Sequence, residues 1–142
     1  MAYFADTEAL YKCLGTLFDR VAQDGEIGPK LGAAGMVIRF VYTEPDAQIT
    51  VDTKSKVEKE GFHFTNTYGP CDLVPDVLMT MKGDVGHTFW LGKVNLINAL
   101  TRRQIVAEGP IPKILKLLPI IKPTYKLYPE ILKELGLANL II

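Results

Sequence analysis

Between residues 35 and 82 the sequence alternates apolar and polar residues in several short runs, the period of a strand with one buried face. The run GMVIRFVYT (35–43) is separated by Glu44-Pro45-Asp46 from AQITVDT (47–53), which makes the two runs a predicted hairpin. FHFTNTY (62–68) and VPDVLMTMK (74–82) are rich in β-branched and aromatic or apolar residues and alternate in the same way. The pattern predicts four strands of one sheet.

Helical patterns flank these strands. Residues 6–24 carry apolar side chains at helical spacing, with Asp6 or Thr7 available as the N-terminal cap. Two short helices are expected after the fourth strand, one opening at Asp84 and ending at Gly92, the other opening at Asn95. Residues 103–108 are then expected to form a fifth strand.

The C-terminal segment, residues 110–136, is helical in pattern but contains Pro119, Pro123 and Pro129. Because proline in a helix interior costs about 3 kcal/mol, two or three short, angled helices are expected there. The order of elements predicts an α+β fold, in which helices cover an antiparallel-rich sheet. At 142 residues, the chain is expected to form a single domain spanning 1–142.

Composition narrows the class of protein. No apolar run approaches the roughly 20 residues that span a bilayer, and MAYFADTEAL lacks the features of a secretory signal. Two cysteines without metal-ligand neighbours favour the cytoplasm. The chain is neutral as a whole, but residues 1–76 carry 7 basic and 12 acidic residues, against 9 and 4 in residues 77–142. A basic second half can meet anionic groups or can be an ordinary solvated surface.

Signals for catalysis are sparse. The two histidines, His63 and His87, lack partners at metal-binding spacing, and no nucleophile, zinc or phosphate-loop motif is present. Asp84 and His87 are the only candidate acid–base pair, although Asp84 is better explained as a helix cap. A basic, aromatic surface for nucleic acid is absent. The sequence therefore predicts no catalytic residues, no metal, no cofactor and no nucleic-acid partner.

The C-terminal segment is unusually apolar. Its isoleucines and leucines exceed one helical stripe, so it must be buried on several sides, line a cavity or meet a partner. Lysines interleave with these residues, and their long stems can lie along apolar surface while the ammonium groups stay hydrated. At the mouth of a cavity such lysines would suit a carboxylate or phosphate.

Residues 76–109 resemble the core signature of the sterol carrier protein domains, the nonspecific lipid-transfer family. The matching positions, in order and without a gap, are Asp76, Thr80, Met81, Gly92, Lys93, Asn95, Ala99 and Gly109. Three positions depart from the pattern: Leu96 replaces a proline, Leu100 an aromatic residue and Arg103 a glycine. The upstream order of helix and paired strands also fits. The Leu-Ile-Ile ending lacks the peroxisomal address of some relatives.

The resemblance implies a twisted five-stranded sheet with helices on one face and an apolar tunnel between the layers. The expected function is non-catalytic binding, and transfer, of a fatty acid, acyl-CoA, phospholipid or sterol-like ligand. The residues expected to line the tunnel are Met79, Met81, Phe89, Trp90, Ile97, Leu100, Ile105, Ile114, Leu118, Ile121 and Tyr125. Lys113, Lys116 and Lys122 are the candidates for a head-group contact.

Two other functions fit the same residues. The chain can be an interaction subunit that docks its apolar C-terminal helices on a partner enzyme or on a second copy, as a homodimer. It can also be an enzyme that acts on a lipid-like substrate through Asp84 and His87. Transient contact with a membrane surface is compatible with the lipid-binding hypothesis.

Overall fold

The computed structural model describes residues 2–142. The chain begins with a continuous helical region made of α1 (Thr7–Leu10), a π-helical turn (Tyr11–Gly15) and α2 (Thr16–Gln23). Asp6 is the predicted cap, because its Oδ1 accepts a hydrogen bond from the Ala9 amide at 2.8 Å. A helix that the sequence pattern does not predict follows, α3 (Ile27–Gly32). The sequence of this helix carries no helical signal, because it contains two glycines and a proline, which have low helix propensity.

The five strands form one mixed sheet in the order β3-β2-β1-β4-β5. Their bounds are β1 (Val37–Thr43), β2 (Ala47–Asp52), β3 (Thr65–Tyr68), β4 (Val77–Lys82) and β5 (Ile105–Glu108). All neighbouring pairs are antiparallel except the central pair, β1 and β4. The predicted α+β class and largely antiparallel sheet are confirmed. The parallel pairing of β1 and β4 was not predicted, because alternation shows which side of a strand is buried but not which strands are its neighbours.

The two faces of the sheet have different surroundings. Ile38, Phe40 and Tyr42 of β1 are buried against the helices, as their alternation predicts. On the opposite face, Arg39 donates hydrogen bonds to the carbonyl oxygens of Cys71 and Leu73, at 3.0 and 2.5 Å. The connection between β3 and β4 therefore passes this face, and the apolar core lies on the helical side.

Two helices connect β4 to β5: α4 (Gly83–Trp90) and α5 (Leu96–Thr101). Asn95 caps α5 as predicted, with its Oδ1 accepting from the Asn98 amide at 3.0 Å. The assignment of Asp84 as the cap of α4 is wrong. The helix begins one residue earlier, and the Asp84 carboxylate instead accepts a hydrogen bond from the Tyr3 amide at 2.8 Å.

The C-terminal segment forms two helices, α6 (Ile111–Ile121) and α7 (Thr124–Glu134), followed by a 3₁₀ turn (Ala138–Leu140). Only the junction at Lys122-Pro123 separates the helices, whereas Pro119 and Pro129 lie inside them. Burial of Tyr128, Ile131 and Leu132 holds α7 on the core despite its internal proline. Among the described residues, no helix combines the length and apolarity needed to cross a membrane.

Candidate functional site

A cavity of about 50 Å³ lies between the sheet and the helices α2, α3 and α6. The sheet and the helices both contribute side chains to it. The residues that line the cavity are Leu17, Phe18, Val21, Leu31, Ile38, Phe40, Val51, Phe64, Met79, Phe89, Trp90, Leu96, Ile114, Leu117, Leu118, Ile121 and Thr124. Every secondary-structure layer of the fold thus supplies part of this wall.

The wall is apolar almost throughout. Thr124 is the only lining residue whose side chain ends in a hydroxyl, and that hydroxyl donates to the Ile121 carbonyl oxygen at 2.5 Å. Phe18 meets Phe40 and Trp90 edge to face, with ring centroids 5.2 and 5.3 Å apart, and this cluster fixes one end of the cavity. The wall therefore offers van der Waals contact to hydrocarbon and almost no hydrogen bonding to a polar group.

Two buried polar groups lie next to this aromatic cluster. The hydroxyl of Tyr42 and the indole N–H of Trp90 have no regular hydrogen-bond partner among the described residues. Burial raises the pKa of Tyr42, and the neighbouring indole N–H of Trp90 opposes that rise only partly. Trp90 also lines the cavity, so an indole N–H that is unpaired among the described residues lies beside its wall.

The volume of the cavity limits what it can hold as it stands. A cavity of about 150 Å³ lined by aliphatic and aromatic residues admits benzene. The observed 50 Å³ is a third of that volume, so even a short acyl chain needs the wall to move apart. The wall segment with the least support is α6, which has only Ile114 and Leu117 fully buried along eleven residues.

The predicted lining residues divide into two groups. Met79, Phe89, Trp90, Ile114, Leu118 and Ile121 lie in the cavity wall. Met81 and Ile105 are buried elsewhere in the core, and Leu100 and Tyr125 are partly buried outside the wall. Ile97 is 58% exposed. In α5, Leu96 and Ala99 face inward three positions apart, and Ile97 is rotated by about 100° from Leu96 toward solvent.

The sequence pattern missed the contribution of the first half of the chain. Leu17, Phe18 and Val21 lie on the predicted apolar stripe of the first helix, and Ile38 and Phe40 on the predicted inner face of β1. These stripes indicate burial, but nothing in their spacing distinguishes a cavity wall from a filled core. Leu31 belongs to the unpredicted α3, and so carried no signal at all.

The three candidate head-group lysines are exposed on or after α6. Lys122 borders an open groove of about 690 Å³ between the α2–α3 connection and the start of α7. Asp24, Glu26, Lys126 and Glu130 line the same groove, so its charge is mixed. Lys113 lies near Asp76, whose pKa is lowered first by the hydrogen bond from Lys54 and more weakly by Lys113.

His87 is fully buried and has both ring nitrogens occupied. Nε2 lies 2.8 Å from the Leu140 carbonyl oxygen, and because a carbonyl only accepts, Nε2 carries the proton and donates it. Nδ1 then accepts from the Tyr128 hydroxyl at 2.8 Å. Burial lowers the pKa of His87, which keeps it neutral. This ring anchors the C-terminal turn and is closed to a substrate.

No cluster of three metal-ligating side chains occurs within residues 2–142. His63 is exposed at the start of β3 and lies against Gly28 of α3, far in sequence and environment from the buried His87. The two histidines are therefore not brought together.

Several positions of the family-like stretch have a clear geometric role. Gly92 has φ +78°, and a Cβ there would lie 3.1 Å from the ring of Tyr125. Gly109 has φ +128°, and its Cβ would lie 2.6 Å from the Asp76 carbonyl oxygen. Arg103, which stands where the pattern has glycine, adopts φ +60°, in the region that favours glycine. The turn geometry of the pattern is thus kept even where its residue is not.

Comparison by sequence gives no relative: no family model matches the chain, and no curated protein matches it. Comparison by structure finds similar proteins. Sterol carrier protein domain 2 of Helicoverpa armigera matches with a TM-score of 0.62 at 14% identity, over 81% of this chain and 89% of that one. Apo sterol carrier protein 2 of Yarrowia lipolytica matches with a TM-score of 0.58 at 14% identity, over 79% and 89%.

A third similar structure is the palmitated sterol carrier protein 2-like 2 of Aedes aegypti. It matches with a TM-score of 0.53 at 18% identity, over 78% of this chain and 92% of that one. All three alignments cover most of both chains, so the likeness concerns the whole arrangement of helices and sheet. At these identities it concerns the fold alone. The chain has the fold of the sterol carrier protein domains.

Proposed function

We propose that this chain binds the hydrocarbon part of a lipid between its sheet and its helices, and passes it on without chemical change. The observation that carries the proposal is the cavity wall, in which Thr124 is the single hydroxyl and is already hydrogen-bonded. Burial of apolar area contributes about 25 cal/mol per Å², so a long chain gains affinity without polar contacts. The palmitated relative with the same fold supports a single acyl chain as ligand.

The chemistry of the wall favours one orientation of the ligand. A charged carboxylate or phosphate inside this cavity would lose its hydration and find at most the indole N–H of Trp90 as a donor, at a cost of several kcal/mol. The head group is therefore expected at the surface and the chain inside. Lys113 and Lys116 lie on α6, which borders the cavity, and Lys122 directly follows it; these three are our candidates for contact with such a head group.

The proposal requires the cavity to expand. Its present volume of about 50 Å³ is too small for an acyl chain, so binding must separate α6 from the sheet side of the wall. Gly109 precedes α6 and the Lys122-Pro123 junction follows it, and we expect a shift of α6 to be taken up at these two places. Ligand affinity is then reduced by the cost of populating the open state.

We propose no catalytic role. The Asp84–His87 pair, the one candidate for acid–base chemistry, has its imidazole closed off by Tyr128 and Leu140. The interaction-subunit hypothesis keeps one specific observation in its favour, the exposure of Ile111 and Leu115 on α6. Most of the apolar C-terminal segment, however, packs on the chain's own core.

The direct test is native mass spectrometry of the gently purified chain, before and after incubation with palmitate and with a phospholipid. A bound acyl lipid with one-to-one stoichiometry is the expected result. An unchanged protein mass with both lipids would contradict the proposal.

A variant links any binding to the cavity. Leu118→Trp places a large ring in the wall at a half-buried position, where it can be accommodated without unfolding, and should abolish palmitate binding. Ile120→Trp is the matched control, because Ile120 is half-buried on the same helix and lies outside the wall. Equal palmitate binding by the two variants would place the site elsewhere.

A further inference from the structure

The outward surface of α6 is apolar at several positions. Ile111 is 47% exposed and Leu115 37% exposed, one turn apart on the helix. Pro112 and Pro119 are exposed on the same outward side, and Pro119 also borders the groove that holds Asp24, Glu26 and Glu130. In an eleven-residue helix that buries only Ile114 and Leu117 fully, this leaves a second apolar face without a partner among the described residues. We call Ile111, Pro112, Leu115 and Pro119 the outer face of α6.

Lysine residues flank the outer face in the sequence. From Gly109 to Pro129 the sequence contains Lys113, Lys116, Lys122 and Lys126 and no acidic residue. Lys113 and Lys116 are exposed on α6 and form no salt bridge among the described residues. Lys122 and Lys126 instead border the groove that holds Asp24, Glu26 and Glu130. The positive charge of α6 that is not held in a salt bridge therefore lies at Lys116 and at Lys113, which interacts only weakly with Asp76.

We propose that the outer face of α6 docks on an anionic lipid bilayer. Exposed aliphatic side chains flanked by lysines suit the bilayer interface, where the aliphatic groups enter the acyl boundary and the ammonium groups meet lipid phosphates. A second copy of the chain fits this surface poorly. A two-fold contact through α6 would place Lys113 and Lys116 opposite the same lysines, without a carboxylate on the helix to neutralise them.

The outer face lies on the same helix that borders the cavity. The inward side of the same helix, Ile114, Leu117, Leu118 and Ile121, forms part of the cavity wall. A lipid that moves between the bilayer and the cavity therefore needs to pass only α6. This consequence rests on the proposed lipid binding, whereas the docking itself does not.

The experiment is sedimentation of the full chain with vesicles of phosphatidylglycerol and phosphatidylcholine, and separately with phosphatidylcholine alone. Binding to the anionic vesicles should exceed binding to the neutral ones, and should weaken at high salt because screening shortens the reach of the charges. Each lysine near an anionic surface contributes about a fivefold factor to binding, so Lys113→Gln with Lys116→Gln should weaken it about 25-fold.

Matched variants separate the outer face from general surface effects. Ile111→Ser with Leu115→Ser should abolish most of the remaining binding, whereas Ile97→Ser, at a more exposed isoleucine on α5, should leave it unchanged. Lys56→Gln in the exposed 54–61 connection is the control for charge. Urea unfolding of each variant confirms that the fold is retained.

Three results would overturn the proposal. The first is equal binding to neutral and anionic vesicles. The second is an equal loss of binding in the α6 variants and their controls. The third is a dimer in solution that Ile111→Ser with Leu115→Ser converts to a monomer, without any vesicle binding by the parent. Loss of vesicle binding together with normal palmitate uptake, or the reverse, shows which of the two proposals has failed.

Discussion

Replacement of Ile114 by alanine tests the description of the cavity most directly. Ile114 lies on the inward side of α6, is 1% exposed and forms part of the cavity wall. Ile111 is the matched control, because it is the same residue type, one turn earlier on the same helix, and is 47% exposed. The two substitutions remove the same atoms from a buried and from a half-exposed position, one turn apart on α6.

The structure sets the expected size of the effect. Alanine removes three carbon atoms, which at about 0.8 kcal/mol for each buried methylene amounts to about 2.4 kcal/mol of lost transfer free energy. The new space adjoins a cavity that the wall has already failed to fill, so little relaxation is expected and a further cavity cost of about 1 kcal/mol applies. Alanine regains about 0.4 kcal/mol of helix propensity. The net loss of unfolding free energy is about 3 kcal/mol.

The same sum gives a small effect at Ile111. About half of the transfer term applies to a half-exposed side chain, no cavity forms, and the gain in helix propensity offsets part of the loss. Urea unfolding of the parent and both variants measures the difference, which should be about 2 kcal/mol or more. The enlarged cavity of Ile114→Ala should also admit benzene, which would raise the melting temperature of that variant alone.

Equal losses at the two positions would refute the difference in burial between Ile114 and Ile111. A loss below about 1 kcal/mol for Ile114→Ala would show that the wall collapses readily. Stabilisation of the parent by benzene would show that the cavity is larger in solution than 50 Å³.

Two further predictions concern other parts of the fold. Arg103→Gly should raise the free energy of unfolding by up to about 1 kcal/mol, because Arg103 has φ +60°, which strains a residue other than glycine. Arg102→Gly should lower the free energy of unfolding, because Arg102 has an ordinary φ of −85°. Urea unfolding measures both variants, and the reverse order would refute the strain at Arg103. His87 should make stability decrease as pH is lowered. Burial lowers its pKa below the ordinary 6.5, so the unfolded chain binds the proton more tightly than the folded chain. Stability that is present above pH 6.5 is therefore lost as pH falls through the lower pKa of the folded state. His87→Gln keeps a donor for the Leu140 carbonyl but should lose this slope below pH 6.5, and a parent whose stability stays flat as pH falls below 6.5 would contradict the buried, neutral imidazole.

Much of the fold could be predicted because it depends on local patterns. The alternation of Met36, Ile38, Phe40 and Tyr42 fixes the inner face of β1, since side chains of a strand point to opposite sides in turn. Caps at Asp6 and Asn95 mark two helix starts because their carboxylate and amide oxygens satisfy free backbone amides. The helix α3 escaped prediction for the converse reason, since its glycines and proline carry no helical signal. It is held by packing and by the Asp24 carboxylate, which accepts hydrogen bonds from the amides of Glu26 and Ile27.

The candidate site was predictable only in part, and the division follows from geometry. Ile114, Leu118 and Ile121 lie in the wall because helical spacing brings them to one side of α6, which the sequence shows. Ile97 is exposed because the rotation of α5 about its axis is set by which neighbour it packs on, and that neighbour is β5.

By itself, then, the sequence determined which residues avoid water, where the chain turns and that catalytic motifs are missing. Only the tertiary structure decided that the buried side chains leave about 50 Å³ unfilled, that β1 and β4 are parallel neighbours, and that α6 keeps one apolar face toward solvent. The physical reason is that burial is a property of single residues and their spacing. The fit between layers depends on distances among residues far apart in the chain, which local periodicity does not encode.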